Sequence, residues 1–245
     1  MLSQGKKLME KKRLASIPEL ERPLTVRLKF RKVGKLQYIS HLDLQRTFMR
    51  VIVRACIPAW YTKGFNPHAK LVFSTPLSVG AQSEYEFLDI RIDREMSPRE
   101  IMERLNAELT DELRIVDAYI PESDFSEIAW SSYEIVISCA GASEELSKNI
   151  ESALTTSPLI LSKKTKSGIK DVDIIPMISS TDVRFEDGLI KIDATLKASS
   201  TEYLNPELLI TGLRERCGIL SAGTLDEWYT ILRTASRKAD LSLFR

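Results

Sequence analysis

The chain has 245 residues, of which 43% are hydrophobic and 28% are charged, and this balance is typical of a folded globular protein. No run approaches the roughly 18 apolar residues that a membrane helix needs, and the first residues lack the pattern of a signal peptide. Length and composition therefore exclude a helical membrane protein and predict a cytoplasmic protein with one large domain or two smaller ones.

Positive charge is concentrated at one end of the chain. Residues 1–70 contain 16 Lys or Arg against 4 Asp or Glu, whereas the other 175 residues contain 19 against 30. Residues 1–22 are predicted to be a disordered basic arm, yet ten basic residues remain between 23 and 70, with Asp43 as the single acid. The excess is therefore expected to belong to the folded part, where it favours an anionic partner.

The first predicted element is a strand at residues 24–31, where apolar and basic residues alternate. One face of this strand is expected to be buried and the other to be basic. The residues expected on the buried face are Leu24, Val26, Leu28 and Phe30. The residues expected on the basic face are Arg27, Lys29 and Arg31.

A helix is predicted to begin at His41 and to end before Pro58. Ser40 is the expected N-cap, and Asp43, three residues later, forms a variant of the capping box. Beyond this helix, residues 70–77 and 84–92 are strand-like and form a predicted hairpin. A second helix opening at Ser97-Pro98 and a strand ending at Ile120 complete the order β-α-β-β-α-β.

The pattern starts again after Trp130, with Asp187-Gly188 as a hairpin turn and an extra segment near 169–178. The predicted elements are strands at 133–139, 159–163, 182–185, 189–196 and 225–233 and helices at 143–155 and 206–216. The sequence therefore predicts an α+β protein with two tandem ferredoxin-like (βαββαβ) domains, at 23–122 and 129–236. A single larger α+β domain is the alternative.

Basic and aromatic residues gather in the first predicted domain. Three arginines at intervals of four share one stripe of the first helix, which is either a solvated face or a surface that contacts phosphates. The segment 61–70 interleaves aromatic residues with cations, which suits stacking on bases, although its aromatic rings could instead fill the core. The predicted nucleic-acid contacts are Arg46, Arg50, Arg54, Tyr61, Lys63, Phe65, Asn66, His68 and Lys70.

Two motifs contain both histidines: Y-I-S-H-L-D-L at residues 38–44 and K-G-F-N-P-H at residues 63–68. His41 is expected at a helix N-terminus, where it could bind a phosphate, act as an acid or base, or bond to a loop. His41 and His68 are thus the candidate catalytic residues, with no assigned reaction. The motifs are completed by Tyr38, Ser40, Asp43, Gly64 and Pro67.

Cofactor signatures are absent from the sequence. It contains no G-x-x-x-x-G-K, G-x-G-x-x-G or G-x-S-x-G, and its histidines and cysteines have no metal-ligand spacing. Cys56, Cys139 and Cys217 are expected to be buried thiols. The sequence thus predicts no metal and no cofactor in this chain.

Three blocks carry a family resemblance: F-R-K-V-G-K-L-Q-Y-I-S-H-L-D-L-Q-R, K-G-F-N-P-H-A-K-L-V-F-S-T-P-L-S-V-G and S-E-Y-E-F-L-D-I. Together they resemble the radical-SAM-linked protein family, a bacterial domain of unknown function, over residues 24 to 210. The resemblance implies a partner or extension of a radical SAM protein, commonly encoded beside genes for ribonuclease E/G-type and ribosomal proteins. This chain lacks C-x-x-x-C-x-x-C, so a radical SAM cluster would lie in another chain.

Three functional hypotheses follow. The preferred one is a non-catalytic RNA-binding or substrate-presenting module that assists a radical SAM partner in RNA or ribosome maturation. The second is an endoribonuclease or RNA-modifying enzyme that uses His41, because tandem ferredoxin-like domains look like the CRISPR repeat-processing endoribonucleases. The third is a protein-interaction scaffold whose acidic second half docks a basic partner. RNA and a radical SAM protein are the predicted partners, with no membrane and no DNA-specific signal.

Overall fold

The computed structural model describes residues 4–156, 158–165 and 168–245, and it combines helices with antiparallel strands. The predicted α+β class is therefore confirmed. The chain divides into two compact units, one that extends to Asp124 and includes Arg245, and one that spans Phe125–Phe244. Within the described ranges, no helix has the length and hydropathy to cross a membrane.

The first unit contains three α-helices and four strands in its described part. In chain order they are α1 (Gln4–Ser16), β1 (Glu19–Lys32), α2 (His41–Arg54), β2 (Leu71–Phe73), β3 (Ala81–Arg94), α3 (Pro98–Asn106) and β4 (Leu113–Tyr119). The strands are antiparallel and lie in the order β4-β1-β3-β2. A short 3-10 helix at Gly34–Tyr38 separates β1 from α2.

Strand β1 is longer than predicted and explains how the core forms. Val26, Leu28 and Phe30 are fully buried, as their alternation predicted, and pair with β3 in register Leu28 to Leu88. Leu24 is instead 39% exposed. It lies where the β1–β3 register shifts, next to Pro23, which cannot donate a ladder hydrogen bond.

The segment expected to be a disordered arm differs from that expectation. Residues 4–16 form α1, while residues 1–3 lie outside the described part of the chain. Leu14 of α1 is buried in the core of the first unit. Glu10 accepts hydrogen bonds from Arg13 and Arg104, and these lower the pKa of its carboxyl group. Packing and ion pairs thus hold a segment that composition alone marks as disordered.

Helix α2 packs its apolar face against the sheet. Leu44, Phe48, Val51 and Ile52 are buried, and the Phe48 ring meets the Phe30 ring edge-on at 5.0 Å between centroids. Burying a side chain of this size stabilises a fold by about 1.5–3 kcal/mol. The face of α2 that remains exposed includes the motif residues at its N-terminus.

The second unit has six strands and two α-helices in its described part. In chain order they are β5 (Trp130–Ser138), α4 (Glu144–Thr155), β6 (Ile160–Thr165), β7 (Gly168–Asp173), β8 (Ile178–Glu186), β9 (Leu189–Lys197), α5 (Pro206–Cys217) and β10 (Trp228–Arg237). Four strands form an antiparallel sheet in the order β10-β5-β9-β8, and β6 pairs with β7 in a separate hairpin. The turn at Asp187-Gly188 joins β8 to β9, as predicted.

Two strands of the second unit depart from the sequence prediction. The segment near 160 does not join the main sheet, because it pairs with the segment after Gly168 to form the β6–β7 hairpin. The last strand begins at Trp228 rather than at 225 and continues past Arg233 to Arg237. Arg233, the predicted end of this strand, is fully buried and donates to the Tyr133 hydroxyl, so it lies inside the strand.

Candidate nucleic-acid interface

The N-terminus of α2 has the cap that the sequence predicts. The Ser40 hydroxyl accepts from the Asp43 backbone N–H at 3.1 Å and donates to the Asp43 carboxylate at 2.7 Å. This bond to Ser40 is the main cause that lowers the pKa of Asp43, because it stabilises the charged carboxylate. The Ser40 hydroxyl is thereby committed to the helix cap.

His41 lies at the rim of a small cleft beside this cap. Its ring contacts the Phe73 ring edge-on, with 4.9 Å between centroids. The enclosed space measures about 10 Å³, which is room for about one water molecule. The lining residues are Lys32, Ile39, Ser40, His41, Leu44, Phe73, Thr75, Pro76, Leu77 and Glu86.

Two buried charged residues at this cleft were not singled out by the sequence. Lys32 is 3% exposed, and its ammonium donates to the carbonyls of Leu36, Gln37 and Ala81 at 3.1–3.4 Å. Glu86 is 5% exposed. The alternation of β1 could have indicated that Lys32 is buried, because Lys32 falls on the same face of the strand as Phe30. Lys32 therefore fixes the backbone around the 3-10 helix instead of facing an external anion.

The basic face predicted for β1 is not a free surface. Arg27 is 1% exposed and makes a bidentate ion pair with Asp89. The Lys29 ammonium lies 3.5 Å from the centre of the Tyr85 ring, and burial lowers its pKa. Arg31 donates to the Asp111 carbonyl. The basic face expected from the alternation of β1 is therefore covered at Arg27, and Lys29 and Arg31 each have a partner within the protein.

The three arginines of α2 have different surroundings. Arg54 forms an ion pair with the largely buried carboxylate of Glu108 at 3.2 Å and also donates to its backbone carbonyl. Arg46 makes a longer, exposed contact of 3.4 Å with Asp43. Arg50 is exposed, with no acidic partner within 4.0 Å among the described residues. Of the three arginines in the α2 stripe, Arg50 is therefore the one whose charge is most available to an external anion.

The loop between α2 and β2 is rooted at both ends on strand β3. The Trp60 N–H donates to the Arg91 carbonyl at 2.7 Å, and Ala59 bridges to Ile92. After the loop, β2 pairs with the next part of β3. Two anchors on one strand hold the loop entrance in a defined position.

Tyr61 and Ala69 form an isolated antiparallel β-bridge, which brings the two arms of the loop together. The Thr62 N–H donates to the His68 carbonyl at 3.0 Å, and the His68 N–H donates back to the Thr62 hydroxyl at 3.2 Å. The His68 Nδ1 lies 3.0 Å from the Asn66 carbonyl. The same ring nitrogen lies 3.3 Å from the Thr62 hydroxyl, so the imidazole contacts both arms of the loop.

The tip of this loop presents an aromatic ring to solvent. Phe65 is fully exposed, and Lys63 and Asn66 beside it are also exposed. Gly64 has φ +140°, a conformation that residues with a side chain rarely adopt. Pro67 on the other side fixes the chain direction. The tip therefore holds an unburied phenyl ring next to a cation.

Apart from the three arginines along α2, the sequence-predicted residues fall into two groups. Tyr61, Lys63, Phe65, Asn66, His68 and Lys70 lie together on the loop, whereas Tyr38, Ser40, His41 and Asp43 lie around the start of α2. The cleft that His41 lines does not include His68. Tyr38 is 68% exposed. The two candidate catalytic histidines thus belong to different local structures.

The cysteines and acidic groups give no metal site in the described part of the chain. No group of three or more His, Cys, Asp or Glu residues there is arranged to hold an ion. Cys56 is buried as expected, while Cys139 and Cys217 are only half-buried. Burial raises the pKa of both half-buried thiols.

Comparison with curated proteins finds no match. A family model described as an uncharacterized protein conserved in bacteria (DUF2344) matches residues 25–206. This match covers most of both units, including β1, the α2 motif and the aromatic loop. The chain therefore belongs to the DUF2344 family of uncharacterized bacterial proteins.

Proposed function

We propose that the protein is an RNA-binding module that presents RNA to a radical SAM partner during RNA or ribosome maturation. We also propose that each unit is a ferredoxin-like domain. This fold assignment is supported by the shared strand order, since β4-β1-β3-β2 and β10-β5-β9-β8 follow the same path once the β6–β7 hairpin is treated as an insertion.

The observation that carries the RNA proposal is the fully exposed Phe65 at a hydrogen-bonded loop tip. Leaving a phenylalanine in water forgoes about 1.5–3 kcal/mol of burial. Stacking a base on an aromatic side chain recovers about 1–3 kcal/mol. A single-stranded RNA base is therefore a suitable partner for this ring.

Cations near the ring in sequence supply the contact to phosphates. Lys63 and Lys70 are exposed, and no carboxylate in the described residues lies within 4.0 Å of either ammonium. Arg50 on α2 is likewise exposed, with no carboxylate of the described residues within 4.0 Å of its guanidinium. Stacking combined with unpaired cations is the arrangement that proteins use to bind single strands without reading sequence.

The radical SAM partner is supported by the motif resemblance of residues 30–46, 63–80 and 83–90. The sequence has three cysteines, at 56, 139 and 217, and a radical SAM cluster needs three in close spacing. Radical chemistry would therefore be performed by the partner chain. A nuclease-treated pull-down from the native cells is expected to recover a protein with that cysteine motif; recovery of none would remove the partner from the proposal.

The RNA test uses a fluorescein-labelled oligouridine of about 16 nucleotides and fluorescence anisotropy between about 50 and about 200 mM salt. Phe65→Ala is expected to weaken binding by about 5- to 150-fold, which corresponds to one stacked base. Lys63→Gln is expected to reduce the salt slope by about 0.7. Both variants should keep the wild-type melting temperature.

Leu225→Ala is the matched control, because Leu225 is also fully exposed but lies in the second unit. It should leave RNA affinity unchanged. Equal affinity of the Phe65→Ala and Leu225→Ala variants would refute the loop as the binding element. Absence of RNA binding by the wild-type protein would refute the proposed function as a whole.

A second candidate, an endoribonuclease, is favoured by the cleft at His41. An imidazole at a helix N-terminus can transfer protons near neutral pH, and Thr75 also lines this cleft. Incubation with total RNA would give discrete fragments that disappear in His41→Ala but persist in His68→Ala. Intact RNA after incubation with the wild-type protein would exclude this candidate.

A further inference from the structure

Strand β8 lies at one end of the sheet of the second unit, and its outer edge is open. Residues 180–186 pair in continuous register with β9 on the inner side. Within the described ranges, no backbone N–H or C=O of this stretch bonds to a group on the outer side. Because alternate residues of a strand direct these groups to opposite sides, about every second residue directs them away from the sheet. Such an edge is a template for another strand.

Two other outer strands, both in the first unit, are protected against strand addition. The Asn106 side chain covers the edge of β4, because its amide donates to the Ile115 carbonyl and accepts from the Ile115 N–H, both at 2.9 Å. Strand β2 has only 3 residues, and very short edge strands also resist pairing. Residues 180–186 have neither protection, contain no proline, and follow the register shift at Ile178. The edge of β8 is therefore the one suited to accept a strand.

Two opposite charges on the exposed face of β8 have an order that β9 does not explain. Asp182 lies directly opposite Asp193 of β9, and Arg184 lies directly opposite Lys191. Like charges in directly opposite positions destabilise an antiparallel pair. Arg184 relieves this repulsion by forming ion pairs with Asp193 and, at 3.3 Å, with Asp182. An acid at 184 and a base at 182 would suit β9 better, so β9 does not account for the observed order.

The observed order does suit a second copy of the same strand. Val183 is the middle residue of 180–186, so an antiparallel copy with full overlap places Val183 opposite the second copy's Val183. Asp182 then lies opposite the second copy's Arg184, and Arg184 opposite its Asp182, and opposite charges in such positions are favourable. On the other face, the half-buried Thr181 lies opposite the second copy's half-buried Phe185. The edge is thus complementary to itself, as a twofold interface requires.

We propose that the protein forms a homodimer in which residues 180–186 of two copies pair antiparallel in the register centred on Val183. The sheets of the two second units then form one continuous sheet. Charged residues on an edge oppose pairing with most other strands, so Asp182 and Arg184 restrict this edge to a strand with the reverse charge order. The inference concerns β8 alone and does not depend on RNA binding.

The test measures the dimer dissociation constant of the full chain by sedimentation equilibrium without RNA. Asp182→Arg and Arg184→Asp each place like charges opposite each other at both paired positions. Each is expected to weaken the dimer by roughly 4- to 900-fold, because two attractive pairs become repulsive. The double variant restores opposite charges in reversed order and is expected to dimerise. An equimolar mixture of the two single variants, one of them fluorescein-labelled, is expected to form a heterodimer.

The matched controls reverse the charges of an exposed ion pair on α4 of the same unit. Glu144→Arg and Lys148→Glu change the net charge by the same amounts as the two β8 variants and should leave the dissociation constant unchanged. A wild-type protein that stays monomeric at every concentration would overturn the proposal. So would single β8 variants that dimerise as well as the wild type, or a mixture of them that remains monomeric. Melting temperatures establish that each variant is folded.

Discussion

Asp89→Asn is expected to destabilise the first unit strongly, because it removes the charge that faces a buried arginine. The Arg27 Nε lies 2.8 Å from one Asp89 carboxylate oxygen and a terminal nitrogen lies 2.9 Å from the other. A further Arg27 nitrogen donates to the Ser123 hydroxyl at 3.0 Å. With the Arg27 side chain 2% exposed, water cannot replace the lost carboxylate.

Breaking one side of a buried ion pair costs about 3–5 kcal/mol. For a protein of this size, this corresponds to a fall in melting temperature of roughly 6–20 °C. Urea unfolding followed by circular dichroism gives the free energy, and a thermal melt gives the temperature. Arg27→Met combined with Asp89→Leu should recover most of the loss, since neither charge then remains buried.

The same variants decide whether Arg27 contacts RNA. We expect Arg27→Met to lower stability and to leave the salt slope of RNA binding unchanged. A cost of less than about 1 kcal/mol for Asp89→Asn, well below the range for a buried pair, would refute the structural role of Arg27. An Arg27→Met variant that keeps wild-type stability but lowers the slope by about 0.7 would refute it as well.

Ser40→Ala should destabilise the protein by about 1 kcal/mol through loss of the helix cap, measured by urea unfolding. It should also raise the pKa of Asp43 in an NMR titration, because the Ser40 bond lowers it. In the wild type this contribution is present above the unfolded pKa and is lost as pH falls through the folded one; an unchanged titration would contradict the cap. Cys139 and Cys217 should react slowly with iodoacetamide at neutral pH, since burial raises their pKa and only the thiolate reacts. Native rates equal to those in urea would contradict this.

Features that depend on neighbouring residues could be predicted from the sequence. The start of α2 follows from Ser40 and Asp43, whose groups meet within a single turn. The turn between β8 and β9 follows from Asp187-Gly188, which adopt φ values of +54° and +79°. In both places the physical cause and its effect lie within four residues, so the pattern is visible in the sequence.

Features that depend on distant partners could not be predicted. The partner of Arg27 lies 62 residues along the chain, and that of Arg233 lies 100 residues away. From composition alone, each of these charged side chains is expected at the surface, but both are buried. The alternation of a strand indicates which face a residue occupies but not whether that face is covered.

The second unit shows the same limit at the level of whole strands. Residues 160–165 and 178–186 both have strand-like sequences, and either could follow α4 as the second strand of the sheet. Pairing decides between them, since β8 joins β9 through a tight turn while β6 pairs with β7.

The basic excess of the first seventy residues therefore has two physical roles that net charge does not separate. Arg27, Lys32 and Arg54 hold the fold through Asp89, backbone carbonyls and Glu108. A side chain that satisfies an internal partner would have to abandon it to bind a phosphate, and the cost of the broken bond would offset the gain. Exposed cations without an acidic partner bear no such cost. The RNA affinity that we propose should accordingly follow the few lysines and arginines outside the ion pairs, and above all those next to Phe65.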